Sequence, residues 1–276
     1  MDWRKFSMEI KVSLYQCGQL ATNLRGKINK EEKEPEPYQL STSVSDIDRI
    51  CQEIILLRAY ELVPDIEITG EEIEDLSLNV ANLFQGNSSR YVLVIDPLDG
   101  TDCYFDGGHE WAHMLGVLDQ ETGSMVCSQV YFPELSRLYF AIVNEGSYIE
   151  DGMFTNRSRI TVKSPPKTFG EVKRLRDSDY PAFEGAGFSL DVKDNKSAAY
   201  AQIRVVEGDL GAMVMRHFHG YDTAIPSLII EESGGLVLGD DGRKVTYEKE
   251  MLRMPLVISS IDPMFAEALY QAQKNY

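Results

Sequence analysis

The segment RYVLVIDPLDGT, residues 90–101, constrains the fold more than any other stretch of the chain. Tyr91–Ile95 is an apolar run rich in β-branched residues and reads as a buried strand. The strand is expected to end at Asp96, because Pro97 has no amide hydrogen and disfavours helix at the residue before it. Asp96 and Asp99 then sit three apart in a turn, where two buried carboxylates repel unless a proton or a cation lies between them. With the Leu98 carbonyl they can converge on a hard cation, since Mg²⁺ prefers oxygen ligands and keeps several waters. Gly100 lets the backbone approach a phosphate, and Thr101 supplies a hydroxyl. A DxxDG turn alone is more often the pattern of aspartates that only accept main-chain hydrogen bonds.

Spacing removes two competing readings. A haloacid-dehalogenase-type phosphatase carries its nucleophilic aspartate two positions before the DGT aspartate, where this chain has Pro97. An EF-hand loop needs oxygen ligands at alternate positions, which DPLD does not offer. The net charge of −17 repels polyanions and argues against nucleic acid or an anionic membrane as a partner. It would repel a phosphorylated metabolite too, so an acidic phosphatase is consistent only as a metalloenzyme.

With 276 residues, 43% hydrophobic and 26% charged, the chain has the composition of a globular protein of one large or two ordinary domains. No stretch approaches the roughly 18 apolar residues of a membrane span, and the opening MDWRKFSMEIKVSL is unlike a signal peptide, so a cytoplasmic protein is expected. Cys17, Cys51, Cys103 and Cys127 form no CxxC pair and are expected to be reduced thiols.

Phe6, Ile10, Leu14, Cys17, Ala21 and Leu24 fall on one face of an amphipathic helix that should pack on a sheet. Lys27 to Pro37 is charged, Pro-containing and aperiodic, and reads as a mobile surface loop. A second helix follows Ser45, a suitable N-cap. Strands are predicted at Tyr91–Ile95, Met114–Leu118, Met125–Phe132 and Leu138–Val143, and three strands in close succession suggest an antiparallel meander. The polar text around 149–166 suggests a domain boundary. The predicted division is 1–153, an α+β domain with the antiparallel sheet and most metal ligands, and 154–276, an α/β domain contributing Asp222. In the second part, helices are predicted at about Ser197–Glu207, Asp222–Ser233 and Pro263–Gln273, with strands at Ala212–Met215, Leu236–Leu238 and Leu256–Ser259.

Three blocks connect distant parts of the chain. Val44-Ser45-Asp46-Ile47-Asp48 precedes Gly70-Glu71-Glu72; DPLDGT lies in the middle; Gly220-Tyr221-Asp222-Thr223-Ala224 precedes Glu231-Glu232-Ser233-Gly234-Gly235. Singly, Asp48 and Asp222 read as helix-start residues and Glu71 as part of a solvated acidic run. A helix starting at Asp222 would turn the amides that follow it toward an anionic ligand. Jointly, in this order, the blocks resemble those of the inositol monophosphatase superfamily, which includes inositol phosphatases, 3'(2'),5'-bisphosphate nucleotidases and some fructose bisphosphatases. The resemblance implies a layered α-β-α-β-α sandwich with two subdomains. It implies two or three Mg²⁺ ions, held by Glu71, Asp96, the Leu98 carbonyl, Asp99 and Asp222. It also implies direct attack of water on phosphorus, without a phosphoenzyme. Thr101 hydrogen-bonded to Asp48 would orient that water, Glu71 would assist, and Gly100 and Thr101 would bind phosphate. Lithium sensitivity is implied as well.

Departures from the family pattern leave the substrate open. Inositol-type enzymes carry an acidic residue seven positions before the last metal aspartate, where this chain has Met215. Nucleotidases follow DGT with Lys-Glu, whereas here Asp102 and Cys103 follow, although Asp222-Thr223 with Pro226 resembles their D-T-x-x-P. Tyr221 replaces the usual tryptophan. Arg216 and His217 are candidates for substrate binding. The His217/His219 and His109/His113 pairs lack the third ligand of a zinc site. The expected function is Mg²⁺-dependent hydrolysis of a small phosphate monoester like inositol monophosphate; the alternatives are a bisphosphate nucleotidase or a non-catalytic metal-binding scaffold. The expected partner is a small phosphorylated metabolite, with a homodimer left open.

Overall fold

The computed structural model describes residues 1–32, 43–152, 155–161, 166–171, 187–191 and 197–274. Helix α1 (Trp3–Leu24) buries Phe6, Ile10, Leu14, Cys17 and Ala21 along one stripe, as their spacing requires. Strands β1 (Glu31–Glu32) and β2 (Ser43–Val44) pair antiparallel, so the predicted loop over 27–37 contains a strand at Glu31. Its part beyond Glu32 lies outside the described residues. Helix α2 (Asp46–Leu62) is capped by Ser45, whose hydroxyl accepts from the Ile47 amide.

Seven strands form the larger sheet: β3 (Glu67–Gly70), β4 (Tyr91–Asp99), β5 (Ala112–Asp119), β6 (Ser124–Phe132), β7 (Arg137–Ile142), β8 (Gly146–Asp151) and β9 (Arg157–Arg159), in that order. β3 is parallel to β4, and every later pair is antiparallel. In β4 the side chains alternate. Leu93 and Ile95 join Leu115, Val117 and Phe140 against α1 and α2, while Val92 and Val94 join Met114, Val130 and Tyr139 on the opposite face. A sheet covered on both faces needs an unbroken apolar strand, which is why the YVLVI run carries no polar alternation.

That opposite face is covered by helices α5 (Ala198–Glu207) and α6 (Gly220–Glu232), which share its core through Ala201, Val205, Ile225, Leu228 and Ile229. The same core takes Met213, Met215, Val237 and Val257 from a five-stranded sheet, β11-β10-β12-β14-β13, built from β10 (Thr168–Glu171), β11 (Ser189–Asp191), β12 (Ala212–Met215), β13 (Leu236–Gly239) and β14 (Val257–Ser260). Helix α7 (Pro263–Lys274) closes the far side through Phe265, Ala266 and Leu269. The layers therefore run helix, sheet, helix, sheet, helix, the α-β-α-β-α order expected. Two short helices, α3 (Leu78–Phe84) and α4 (Thr101–Phe105), complete the named elements.

Three expectations are corrected. β4 does not end at Asp96: its pairing with β5 shifts register there and resumes at Asp99 opposite Ala112, so Pro97 and Leu98 occupy an irregularity inside the strand. The meander is longer than predicted, because β8 and β9 follow β7. β9 has only exposed residues and no apolar signal; Arg157 instead lies 4.0 Å from the Tyr148 ring centroid and 4.7 Å from that of Phe140. Finally, α6 begins at Gly220, two residues before the predicted start, and carries Pro226 inside it.

Candidate metal centre

The bulge at the end of β4 turns Asp96 and Asp99 to one side, and the start of α6 brings Asp222 to them. Carboxylate oxygens of these three residues lie within 4.8 Å of one another, the only such His, Cys, Asp or Glu group among the described residues. Each is held by main-chain donors. The Leu98 amide donates to Asp96 Oδ1 at 3.1 Å. Asp99 lies on the N-terminus of α5: it accepts from the amides of Ala198 and Ala199, both at 3.1 Å, and from the Ser197 hydroxyl. Asp222 is the third residue of α6 and accepts from the amide of His219, the residue that caps that helix.

Asp48 repeats that arrangement at the start of α2. Its Oδ2 accepts from the Ser45 amide at 2.8 Å and the Ser45 hydroxyl at 2.6 Å, completing a capping box. Oδ1 faces Thr101, whose hydroxyl stands 3.5 Å from it and 3.0 Å from the Leu98 carbonyl, a second acceptor for the same proton. Gly100, ahead of Thr101, has φ +80°, and a Cβ there would stand 2.8 Å from the Glu110 carbonyl oxygen. Gly70, ahead of Glu71, lies so close to β4 that a Cβ would collide with the Ile95 carbonyl. Glu71 itself is outside the 4.8 Å trio, yet it faces the trio closely enough to raise the pKa of both Asp96 and Asp222.

Burial is the first cause of each carboxyl's raised pKa, and neighbouring negative charge is the next for Asp96 and Asp222. Asp96 is held well above the usual carboxylate range by burial, then by Glu71, Asp99, Asp222 and Asp48. Asp222 rises through burial, Asp99 and Glu71. Burial lifts Asp99 to about 6 against its hydrogen bonds from Ser197, Ala199 and Ala198, and lifts Asp48 to about 7. Buried like charges presenting hard oxygen donors fit a divalent cation such as Mg²⁺, and soft-ligand metals are disfavoured because no sulfur or imidazole joins the group.

The position of the bulge is set from behind by His113 on β5. Its ring is fully buried, and Nδ1 donates to the Pro97 carbonyl oxygen, which can only accept. Desolvation lowers this histidine from its ordinary value of 6.5 to about 4. A histidine with a depressed folded-state pKa contributes stability that is complete above about pH 6.5 and is lost as pH falls toward 4. Urea unfolding in EDTA at about pH 7.5 and about pH 4.5 is expected to show wild type losing about 2–3 kcal/mol more than His113→Phe. Equal losses would show that the ring is not held neutral by the fold. His109 is exposed, so the two histidines do not form a pair.

Of the residues expected at the substrate, Arg216 is 7% exposed, directly after Met215 of β12. His217 takes a left-handed φ of 57°; its amide donates to the Pro255 carbonyl and its carbonyl accepts from Arg253 at 2.9 Å. Arg253 went unrecognised in the sequence, although its charge lowers the pKa of Asp222. The sequence marks Ser197 only as the start of a helix, whereas it caps α5 and donates to Asp99. Arg25 was missed too: it caps the end of α1 and donates to the carbonyls of Tyr104 at 2.6 Å and Gly108 at 2.5 Å, tying down α4, the helix that Thr101 begins. The expectation that amides after Asp222 face an anionic ligand is corrected, because Asp222 is already the third residue of α6.

A five-layer α/β sandwich that closes on a buried group of acidic oxygens is the architecture of a metal-dependent phosphatase. The model of the inositol monophosphatase family matches residues 5–275, and the chain belongs to that family. It is 25% identical to a fructose-1,6-bisphosphatase/inositol-1-monophosphatase of Aquifex aeolicus over 84% of this chain and 85% of the relative. It is 26% identical to a histidinol-phosphatase of Streptomyces coelicolor over 73% and 75% of the two chains. A putative Nus factor SuhB of Neisseria meningitidis is 25% identical over 82% and 85%. Among solved structures, the inositol monophosphatase of Thermotoga maritima superposes with a TM-score of 0.74 at 21% identity, covering 100% of this chain and 99% of that one. An inositol monophosphatase/NADP phosphatase crystallised with Mg²⁺ and phosphate gives 0.74 at 17% identity, over 98% and 96%. The family's enzymes are phosphoric monoester hydrolases acting on small phosphate esters, and this chain is an enzyme of that type.

Proposed function

We propose that this enzyme hydrolyses a small, soluble phosphate monoester resembling inositol monophosphate, with two or three Mg²⁺ ions held by Glu71, Asp96, the Leu98 carbonyl, Asp99 and Asp222. The convergence of Asp96, Asp99 and Asp222 within 4.8 Å carries this reading. When bound, the cations would polarise the phosphate and lower the pKa of a nearby water. The chain's own part is to orient and deprotonate. Asp48, raised to about 7 by burial, accepts a proton through Thr101, while Gly100 and the Thr101 amide receive the phosphate. Arg216 and His217 border the substrate. Met215 is 1% exposed in the core, so no carboxylate stands at the position that inositol-type enzymes use for ring hydroxyls. The net charge of −17 favours a small metabolite over nucleic acid as the partner. Among the described residues no helix is long and apolar enough to cross a membrane.

The alternative is a 3'(2'),5'-bisphosphate nucleotidase, favoured by Asp222-Thr223 with Pro226. Phosphate release from inositol monophosphates, 3'-phosphoadenosine 5'-phosphate, fructose 1,6-bisphosphate and histidinol phosphate, with Mg²⁺ or EDTA, decides between them. A Mg²⁺-dependent kcat/KM highest for inositol monophosphates is the expected result, together with inhibition by lithium. Preference for the adenosine bisphosphate would establish the nucleotidase. No turnover of any of them would favour a non-catalytic scaffold.

A further inference from the structure

A proline inside a helix removes one main-chain donor, and the carbonyl four residues earlier loses its partner. In α6 the proline is Pro226, and the carbonyl it abandons belongs to Asp222. That carbonyl is nevertheless satisfied. Gln202 of α5 donates to it from Nε2 at 2.8 Å, replacing the hydrogen bond that the helix cannot make. The glutamine is fully buried and its amide is used at both ends: Nε2 also donates to the Ala198 carbonyl at 3.2 Å, and Oε1 accepts from the Ser259 hydroxyl at 3.4 Å. Because both carbonyls can only accept, the orientation of the amide group is determined.

The consequence extends to the carboxylates. Helix α5 holds Asp99 by its side chain, through Ser197, Ala198 and Ala199, and holds Asp222 by its main chain, through Gln202. Residues 98 and more apart in sequence from Asp99 thus fix one carboxylate, and the next turn of the same helix fixes the main chain that carries another. The geometry points to Gln202 as a positioning residue that compensates for Pro226 and sets Asp222 relative to Asp99. This rests on the reading that Asp99 and Asp222 hold Mg²⁺.

The test is a double-mutant cycle of full-length wild type, Gln202→Met, Pro226→Ala and the double variant. Methionine keeps the length and volume of glutamine without its donors, and Pro226→Ala restores an amide hydrogen for the Asp222 carbonyl. Mg²⁺ binding to metal-free protein is measured by calorimetry, beside thermal unfolding in EDTA. Gln202→Met is expected to weaken Mg²⁺ binding about 10-fold when Pro226 is kept, the effect of leaving a buried carbonyl without a partner, and less than about 2-fold when it is combined with Pro226→Ala. An equal factor in both backgrounds, or no change in either, would overturn the role of Gln202 while leaving the metal reading intact. Wild type that binds no Mg²⁺ would overturn both. If Gln202→Met does not fold, recovery of folding in the double variant supports the compensation, and continued failure overturns it.

Discussion

Asp96→Asn is expected to unfold at a higher temperature than wild type in EDTA, at a lower temperature in saturating Mg²⁺, and to turn over substrate at least about 10³-fold more slowly. The reversal follows from one set of charges. Asp96 is 2% exposed, and burial together with Glu71, Asp99, Asp222 and Asp48 raises its pKa. A carboxyl raised in the folded state contributes stability that is present below its unfolded pKa and lost as pH rises through the folded value. At neutral pH without a cation this buried carboxyl therefore destabilises the fold, and asparagine, of the same shape, removes that cost. Asparagine also keeps an oxygen for the Leu98 amide. Each kcal/mol gained should raise the midpoint by about 2–4 °C.

Added Mg²⁺ reverses the order because only wild type binds it well. Ligand at about 100 times its Kd stabilises by about 2.7 kcal/mol, or roughly 5–10 °C here. Thermal scans of both proteins in EDTA and in Mg²⁺, with phosphate release measured alongside, test the assignment. An asparagine variant less stable than wild type in EDTA, or one retaining a tenth of the activity, would remove Asp96 from the centre.

What the sequence revealed and what it concealed divide by the range of the interaction. Ser45 as cap, Asp48 three residues on, and the apolar β4 strand depend on local backbone chemistry, so each was legible in a few residues. The stretch 96–101 was legible as an acidic turn, but not as a bulge within a strand, because the pairing that resumes at Asp99 depends on Ala112. β9 was invisible for a similar reason: Arg157, Ser158 and Arg159 have no apolar period and take their strand from β8. The support of Asp99 by Ser197, and of Asp222 by Gln202, joins residues far apart in sequence that no motif connects. The lowered pKa of His113 comes from burial beside Cys17 of α1, which its position four residues after His109 does not disclose.

Asp48 carries the second large effect. Its carboxyl, about 7 through burial and the Glu72 charge against hydrogen bonds from Ser45, is matched to accepting a proton near neutrality. Thr101 offers one proton to two acceptors, Leu98 at 3.0 Å and Asp48 at 3.5 Å, so the carboxylate competes for a hydroxyl that is within reach but not yet committed. Asp48→Asn should reduce kcat by about 10²–10⁴-fold, the span of general-base catalysis, with little loss of stability, since the asparagine oxygen can still accept from the Ser45 amide. Thr101→Val is expected to cost a similar factor. If the two act as one unit, the double variant will be no slower than the slower single variant. The pH profile gives an independent measure. Wild-type activity should fall as pH drops through an apparent pKa at or below about 7, because bound cations stabilise the ionised carboxylate, and that limb should be absent from Asp48→Asn. Full activity in Asp48→Asn near pH 8, or strictly multiplicative losses in the double variant, would place the base elsewhere.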